Sequence, residues 1–458
     1  MQAEAHPTDD VLSLIGNTPL LKLTALDTNG CELFVKLEQQ NPGGSIKDRI
    51  GLSMIEAAER DGRIRPGMTL VEATAGNTGL ALALVAARKG YRLLLVIPDK
   101  MSQEKMSHLR AMGAEVRITR SDVVKGHPEY YQNLAARLAQ EVGGFYVNQF
   151  ENPDNPRAHE QTTGPEIWRQ TGERLDAVVC GVGSGGTITG LSNFFARANP
   201  ELEIVLADPK GSVLADYVRT GHVGEAGSWL VEGVGEDFVP PICDLSRVGR
   251  TYTIEDEESL LTARSLLRHE GVLGGSSTGL LVAAALRYCR EQSAPKRVVT
   301  FVCDSGNKYL SKMYNDFWMH DQGFLRGSAQ GDLRDVIGRS PAEGQVIAVG
   351  PDDTLLVAYS RMKLYDVSQL PVLEGEQIVG IIDESDLLLA MHDEPAAFGR
   401  AVRSSMSSNL CTVQRDAPLP SLLPLLDRGL VVIVLDGSRF IGLITRIDVL
   451  NYLRRRLR

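Results

Sequence analysis

Between residues 16 and 303 the chain alternates two hydrophobic patterns. Short apolar runs (ELFVKLE, TLVEATA, RLLLVIP, AEVRIT, DAVVCGV, EIVLADP and RVVTFVC) have the length and composition of strands covered on both faces. Between them, LALALVAARKG, MSHLRAMGA and LLVAAALRYCREQ place apolar residues at helical spacing. Strands alternating with helices predict an α/β fold with a mainly parallel sheet. Ligands meet such a sheet at the loops that follow its strands, and the glycine-rich loops of this chain follow predicted strands. The most apolar segment, 80–97, is broken by Arg88, Lys89, Gly90 and Arg92. It therefore predicts a buried helix and then a buried strand, not a membrane span.

A polar, glycine-bearing stretch at 320–332, HDQGFLRGSAQGD, ends this pattern and predicts a linker. Beyond it the sequence repeats itself. QLPVLEGEQIVGIIDESDLLLAM, from Gln369, aligns with VVIVLDGSRFIGLITRIDVLNYL, from Val431, so that Gly375 meets Gly437, Gly380 meets Gly442 and Asp386 meets Asp448. Upstream, VIAVGPDDTLLVAYSRM pairs with LCTVQRDAPLPSLLPLL. Each copy reads as strand, helix, strand, turn, strand, helix. The expected division is a first domain at 1–319, a linker at 320–332, and a repeat module at 333–458 built from 333–393 and 397–458.

Composition narrows the picture. The 458 residues carry 43% hydrophobic and 23% charged side chains, ordinary for a globular chain that buries its own cores. A net charge of −10 disfavours nucleic acid and anionic membrane as partners. The six cysteines form no CxxC pair and read as buried, reduced thiols of a cytoplasmic protein. The eight histidines show no HxH or HExxH spacing, so no metal site is expected. The opening MQAEAHPTDD lacks a basic-then-apolar signal pattern.

Candidate chemistry sits in four loops. Lys47 lies on the turn NPGGSIKDR at 41–49. A lysine amine can condense with an aldehyde cofactor and, once freed, serve as a base, if a dry site and nearby cations lower its pKa. Gly43 and Gly44 permit close backbone approach, and Asp48 and Arg49 are expected to open the next helix. In EATAGNTG at 72–79, Asn77 or Thr78 could cap a helix. GVGSGGTITG at 181–190 fits GxGxxG after a predicted strand, and Asp208 ends the next strand about twenty residues on, as a dinucleotide site would require. Ser184 and Thr187 add hydroxyl donors that suit a single phosphate instead. Both readings use N–H groups at a helix start to hold an anion. The fourth loop, LGGSSTG at 273–279, is a serine turn between strand and helix.

Together these loops resemble those of the fold-type-II pyridoxal-phosphate enzymes, whose architecture is that of the tryptophan synthase β subunit. The nearest branch is the one that condenses L-serine with L-homocysteine to cystathionine. The resemblance implies that Lys47 carries pyridoxal 5′-phosphate and acts as the base. It places Asn77 at the ring hydroxyl, Gly183, Ser184, Gly185, Gly186 and Thr187 at the phosphate, and Ser276 at the pyridine nitrogen. A neutral hydroxyl there, unlike an aspartate, leaves the ring a shallow electron sink and favours β-elimination over transamination. Thr74, Ala75, Gly76 and Thr78 correspond to the clamp for the substrate carboxylate, with Gln149 beside it. Many relatives have serine where this chain has Ala75, and Phe150 replaces a tyrosine found in some. The run VEGVGEDF at 231–238 lines the site by resemblance and contributes Gly233 and Glu236. Its acidic pair, Glu232 and Glu236, suits an incoming amino-thiol better than sulfide, which has no amine to recognise.

The C-terminal repeat resembles a tandem module that binds adenosyl ligands in many proteins. Thr445 and Asp448 match its ribose-holding positions, and Asp383 and Asp386 are their counterparts in the first copy. Asp383 puts a carboxylate where a hydroxyl is expected, so the site with Thr445 is the better candidate. A purely structural or dimerising module is the other reading. Haem-containing relatives carry cysteine and histidine ligands in an N-terminal extension. Here fewer than twenty residues precede GNTP, with His6 and no cysteine, so no haem is expected. A homodimer or larger homo-oligomer is implied. The rival activities are a cysteine synthase using O-acetylserine and sulfide, a serine or threonine dehydratase, and an adenosyl-ligand sensor with a degenerate catalytic half.

Overall fold

The computed structural model describes residues 8–74, 76–99, 103–120, 122–123, 126–325, 330–338, 347–394 and 396–456. The chain divides between Tyr314 and Asn315 into two compact units.

The first unit contains ten strands among the described residues. They are β1 (Leu20–Lys22), β2 (Glu32–Leu37), β3 (Thr69–Ala73), β4 (Arg92–Pro98), β5 (Glu115–Thr119), β6 (Phe145–Tyr146), β7 (Ala177–Cys180), β8 (Glu203–Pro209), β9 (Val248–Ile254) and β10 (Arg297–Val302). The expected mainly parallel sheet is divided in two. One sheet runs β1-β2-β10-β7-β8-β9 and the other β5-β4-β3-β6. Every pairing is parallel except β1 with β2. The near-continuous apolar runs have this cause: β7 is buried at all four residues and β10 at all but its first, because helices cover both faces. The helix Ser276–Arg290 is buried along almost its whole length, which explains its uninterrupted LLVAAAL. The apolar segment 80–97 resolves as predicted. The helix Asn77–Lys89 ends at left-handed Gly90 (φ +76°) and β4 follows.

The second unit repeats one motif. β11 (Gln369–Glu374) pairs antiparallel with β12 (Gln377–Asp383), and β14 (Val432–Asp436) pairs with β15 (Arg439–Ile444). A bulge falls at the equivalent point of each hairpin, between Val372 and Leu373 and between Val434 and Leu435. The hairpins turn at Gly375 and Gly437, both at φ +64°, a conformation that costs a side chain energy. The copies differ upstream. The second has a strand, β13 (Thr412–Gln414), where the described residues of the first have the bridge Val349–Val372. The first has the helix Leu355–Tyr365, whereas Pro418, Pro420 and Pro424 cut the second to short turns. Helices Glu384–Asp393 and Arg446–Arg456 close the copies. The predicted linker begins inside the helix Asp316–Asp321, which Asn315 caps through the Trp318 N–H, and its residues 326–329 lie outside the described set.

Candidate active site

The turn that carries Lys47 is fastened to the end of β10. Ile46 N–H donates to Cys303 O (2.8 Å), and Ser305 N–H donates to Gly44 O (3.3 Å). Gly44 stands at φ +77°, and Lys47 is the first residue of the helix Lys47–Arg60, its N–H donating to Ser45 Oγ (3.2 Å). Burial pulls the Lys47 pKa below the usual lysine value, while Cys303, Glu236 and Asp304 push it back up. Lys47 itself is half-buried, between the buried Ile46 and Asp48. The expected cations are not what acts on the amine: beyond burial, the groups that shift it are a thiol and two carboxylates. Asp48 and Arg49 do open the helix, and both are buried. Asp48 accepts the Gly43 N–H (2.5 Å), and burial pushes its carboxyl up to about 7.

Asn77 is wired to that turn. Its Nδ2 donates to Asp304 Oδ2 (2.8 Å), and its Oδ1 accepts from Lys308 Nζ (2.8 Å), which also donates to Gly44 O (3.1 Å). Tyr309 donates to the same Asp304 oxygen (2.8 Å). The helix cap expected at Asn77 or Thr78 falls instead on Gly76, and neither side chain caps the helix. Thr78 Oγ1 donates to Gln149 Oε1 (2.7 Å), so two residues read separately as carboxylate contacts meet in space. Gln149 is held in turn by its own N–H on Glu72 Oε2 (3.3 Å). Thr74 is buried after β3 and accepts the Gly76 N–H (3.2 Å). Ala75 lies outside the described residues.

The loop after β7 leads into the helix Gly186–Ala198. Its glycines are required by protein contacts behind the loop. A Cβ on Gly183 would lie 2.7 Å from Gly233 O, one on Gly185 (φ +89°) 2.4 Å from Cys243 Cβ, and one on Gly186 1.8 Å from Asn155 Oδ1. The front of the loop keeps the leading N–H groups of a thirteen-residue helix, which have no intrahelical acceptors and sit at its positive end. Ser184 and Thr187 add hydroxyls. These hydroxyls and N–H groups fit a phosphate monoester. Asp208 does not serve a ribose. It is buried, accepts the Ala215 N–H (2.8 Å) at the start of the helix Leu214–Thr220, and burial pushes its carboxyl up to about 6. Gly186→Ala should destabilise the unit by about 1–3 kcal/mol through overpacking against Asn155. A thermal melt checks this, and an unchanged midpoint would mean that Asn155 moves aside.

Ser276 opens the helix Ser276–Arg290, and its Oγ accepts the Glu232 N–H (2.9 Å), leaving its proton to donate elsewhere. The two acids of the VEGVGEDF loop have different duties. Glu232 is paired with Lys105 and with Lys312 (2.7 Å). Burial pushes its carboxyl up, but those two cations outweigh it and hold it below the usual range. Glu236 is tied by its backbone to Ser212 Oγ (3.1 Å), and its carboxylate bears on Lys47. Gly233 and Gly235 turn the loop at φ +85° and +87°, and Phe238 packs on Phe150 with centroids 5.7 Å apart and the rings tilted by 50°. The sequence reading missed Lys105, Asp304, Lys308, Tyr309 and Lys312. A signal existed for three of them, because DSGNKY follows directly on a predicted strand, where functional loops belong.

In the second unit a cavity of about 590 Å³ is lined by Thr445, Arg446, Asp448, Asp366, Gln369 and Phe317, among others. Asp448 Oδ2 accepts from both Thr445 N–H (2.7 Å) and Thr445 Oγ1 (2.5 Å). In the first copy Asp383 and Asp386 bond each other's backbone N–H reciprocally, as a helix capping box. Both pairs therefore start a helix, whatever else they do.

Among the described residues no group of acidic, histidine and cysteine side chains could hold a metal, and no helix is long and apolar enough to cross a membrane. All six cysteines are free. Residues 11–304 match the pyridoxal-phosphate dependent enzyme family, and residues 334–393 and 400–455 match CBS domains. The chain belongs to the pyridoxal-phosphate dependent enzymes of fold type II and carries a C-terminal CBS pair. It is similar over nearly its whole length to curated cystathionine β-synthases. The Apis mellifera protein is 34% identical, covering 97% of this chain and 90% of its own. The Saccharomyces cerevisiae protein is 33% identical, covering 99% of both. Among solved structures, O-ureido-L-serine synthase superposes with a TM-score of 0.64 at 33% identity, over 71% of this chain and 99% of its own. A hydrogen sulfide-producing enzyme from Fusobacterium nucleatum gives 0.61 at 36%, over 66% and 100%. The chain is a pyridoxal-phosphate-dependent β-replacement enzyme.

Proposed function

We propose that this enzyme condenses L-serine with L-homocysteine to form cystathionine. The observation that carries the choice of thiol is the separation of the two loop acids. Glu232 is held by Lys105 and Lys312, and the Glu236 carboxylate acts on Lys47, which sets the loop's second acid at the reacting end of the site, where the amine of an amino-thiol would arrive. The full-length likeness to cystathionine β-synthases supports the same reading.

The roles follow from the positions. Lys47, Asn77, Ser276 and the loop Gly183, Ser184, Gly185, Gly186 and Thr187 would hold pyridoxal 5′-phosphate. When bound, that group supplies the electron sink that acidifies the substrate α-hydrogen. Lys47 takes the proton from the α-carbon and delivers it to the departing β-hydroxyl, which leaves as water; it then takes the thiol's proton as sulfur bonds to the β-carbon and returns that proton to the α-carbon. Its lowered pKa keeps part of the amine neutral for the first step. Gln149, Thr78, Thr74 and Gly76 receive the serine carboxylate, and Ser276 offers a neutral hydroxyl to the ring nitrogen. No haem is needed for any of these steps. The second unit would take an adenosyl ligand in the cavity beside Thr445 and Asp448.

The test is a competition assay on the cofactor-loaded protein, with serine, O-acetylserine, homocysteine and sulfide offered together and products resolved by mass spectrometry. Mainly cystathionine is expected. Mainly cysteine would move the enzyme to the sulfide-using branch, and pyruvate alone to the dehydratases. Glu236→Gln should raise the KM for homocysteine about tenfold or more, the worth of one charge-assisted hydrogen bond. The loss of its charge also acts on Lys47 and touches both thiols alike, so the readout is the homocysteine-to-sulfide ratio of KM, which should rise about tenfold; an unchanged ratio would remove Glu236 from thiol recognition.

A further inference from the structure

Behind the loop at 183–187 runs a segment to which the sequence reading assigned nothing. The short helix Asp154–Ala158 continues into a single π-helical turn, His159–Thr163. Such turns are rare and concentrate at functional sites. The segment lies hard against the helix Gly186–Ala198, since a Cβ on Gly190 would sit 2.2 Å from Pro156 O and 2.7 Å from His159 Cβ. One turn apart, it presents two polar side chains to the two loop hydroxyls. Asn155 Nδ2 donates to Ser184 Oγ (3.0 Å), and His159 Nε2 lies 3.2 Å from Thr187 Oγ1. His159 Nδ1 lies 2.9 Å from Thr163 Oγ1. Asn155, His159 and Thr163 are all fully buried.

We infer that His159 is a positioning residue that holds the Nε2–H tautomer and donates to Thr187, turning the Thr187 proton outward to the anion. The inference rests on the phosphate role proposed for this loop. A hydroxyl has one proton. If Thr187 spent it on His159, it would face the anion with a lone pair. If His159 donates, the Thr187 proton is free, and Nδ1 then accepts from Thr163. Asn155 does the same for Ser184, and its orientation is fixed because its Nδ2 also donates to the Gln149 carbonyl (2.7 Å), which can only accept. The imidazole stays neutral: burial drives its pKa well below the ordinary histidine value, and the charges of Lys47 and Arg49 push the same way. A neutral ring keeps one lone pair for Thr163 and one N–H for Thr187.

Two measurements test this. Ring-nitrogen NMR of 15N-histidine-labelled, cofactor-loaded protein should show His159 as the neutral Nε2–H form throughout the neutral pH range. An Nδ1–H tautomer or an imidazolium would overturn the inference. Apoprotein is then titrated with pyridoxal 5′-phosphate and, separately, with pyridoxal, which lacks the phosphate. His159→Leu should weaken pyridoxal-phosphate binding about tenfold, the worth of one well-placed hydrogen bond, and leave pyridoxal binding unchanged. His159→Gln, whose amide can reach the Nε2 position, should restore most of the loss. In a Thr187→Val background His159→Leu should cost little more. Equal losses for both ligands, or additive losses in the double variant, would make His159 merely structural. Unsubstituted apoprotein that takes up neither ligand would defeat the cofactor reading itself, and the inference with it.

Discussion

Lys47→Ala should leave a folded protein whose β-replacement rate falls by at least about a thousandfold, the scale expected when the group that moves the proton is removed. The visible absorbance of the cofactor-loaded protein should disappear with it. The fold should survive, because the turn is held by backbone bonds from Ile46 to Cys303 and from Ser305 to Gly44, which alanine does not touch. Stability should stay level or rise. A lysine whose pKa is lowered on folding is a cost, complete at pH values below the folded pKa and relieved as pH climbs through it, because the unfolded chain then binds more protons. Removing the amine removes that cost. Lys47→Arg should be equally inactive, since a guanidinium stays protonated at any working pH. Steady-state kinetics and thermal melts of both variants check these outcomes, and turnover near the native rate in either would end the assignment of Lys47 as the base.

The second large effect concerns Arg49, two residues further along the same helix. Its guanidinium meets Glu38 (Nε to Oε2, 2.7 Å) and Glu166 (Nη2 to Oε2, 2.7 Å), while Lys36 Nζ lies 2.8 Å from Glu166 Oε2. All four side chains are buried. Two cations and two anions balance, and Thr18 adds a donor to Glu38 (2.6 Å). Removing one partner of a buried pair leaves its counter-charge unmatched, so Arg49→Met should cost about 3–5 kcal/mol. Arg49→Lys should rescue little, because an ammonium cannot bridge two carboxylates with a planar fork. The acid limb of the stability curve carries a second signature. Burial pushes the Glu166 carboxyl up, yet Arg49 and Lys36 outweigh it and hold it at about 2. The stability this carboxylate contributes is complete above its ordinary value of 4.5 and is lost as pH falls from there toward 2. In Arg49→Met the acid loss over this window should shrink, because its upper bound is set by the unfolded value and only the folded pKa moves up toward it. Urea titrations at several pH values decide the matter, and a variant within 1 kcal/mol of the unsubstituted protein would place Arg49 among ordinary helix residues.

The hydrophobic pattern made the α/β class legible because each strand and its covering helix lie within a few tens of residues. The four loops were legible for a related reason: glycine, serine and lysine at strand ends have few other uses there. The pairing of strands was not legible. β2 lies beside β10, and β3 beside both β4 and β6, choices set by long-range packing. The ionic cluster was hidden as well. Lys36 and Glu38 look like the solvent-facing positions of ELFVKLE, and only the distant helix Gly164–Gln170, which brings Glu166, turns them into interior groups. Lys105 and Lys312 come to Glu232 from opposite directions in sequence, so no local spacing announces them. The capping geometry of Asp383 and Asp386 was latent in IIDESD, although the resemblance drew attention to ligand contacts instead.

The glycines of the loop after β7 press their bare faces on Gly233, Cys243 and Asn155. Substitution of these glycines is therefore a problem of partnership. A lineage that replaced Asn155 with a smaller side chain would open room at position 186, and one that trimmed Cys243 would ease crowding at 185, where the left-handed backbone would still favour glycine. Drift at the front of the loop and drift behind it should thus be correlated across descendants of this chain, with positions 155 and 186 changing together or not at all.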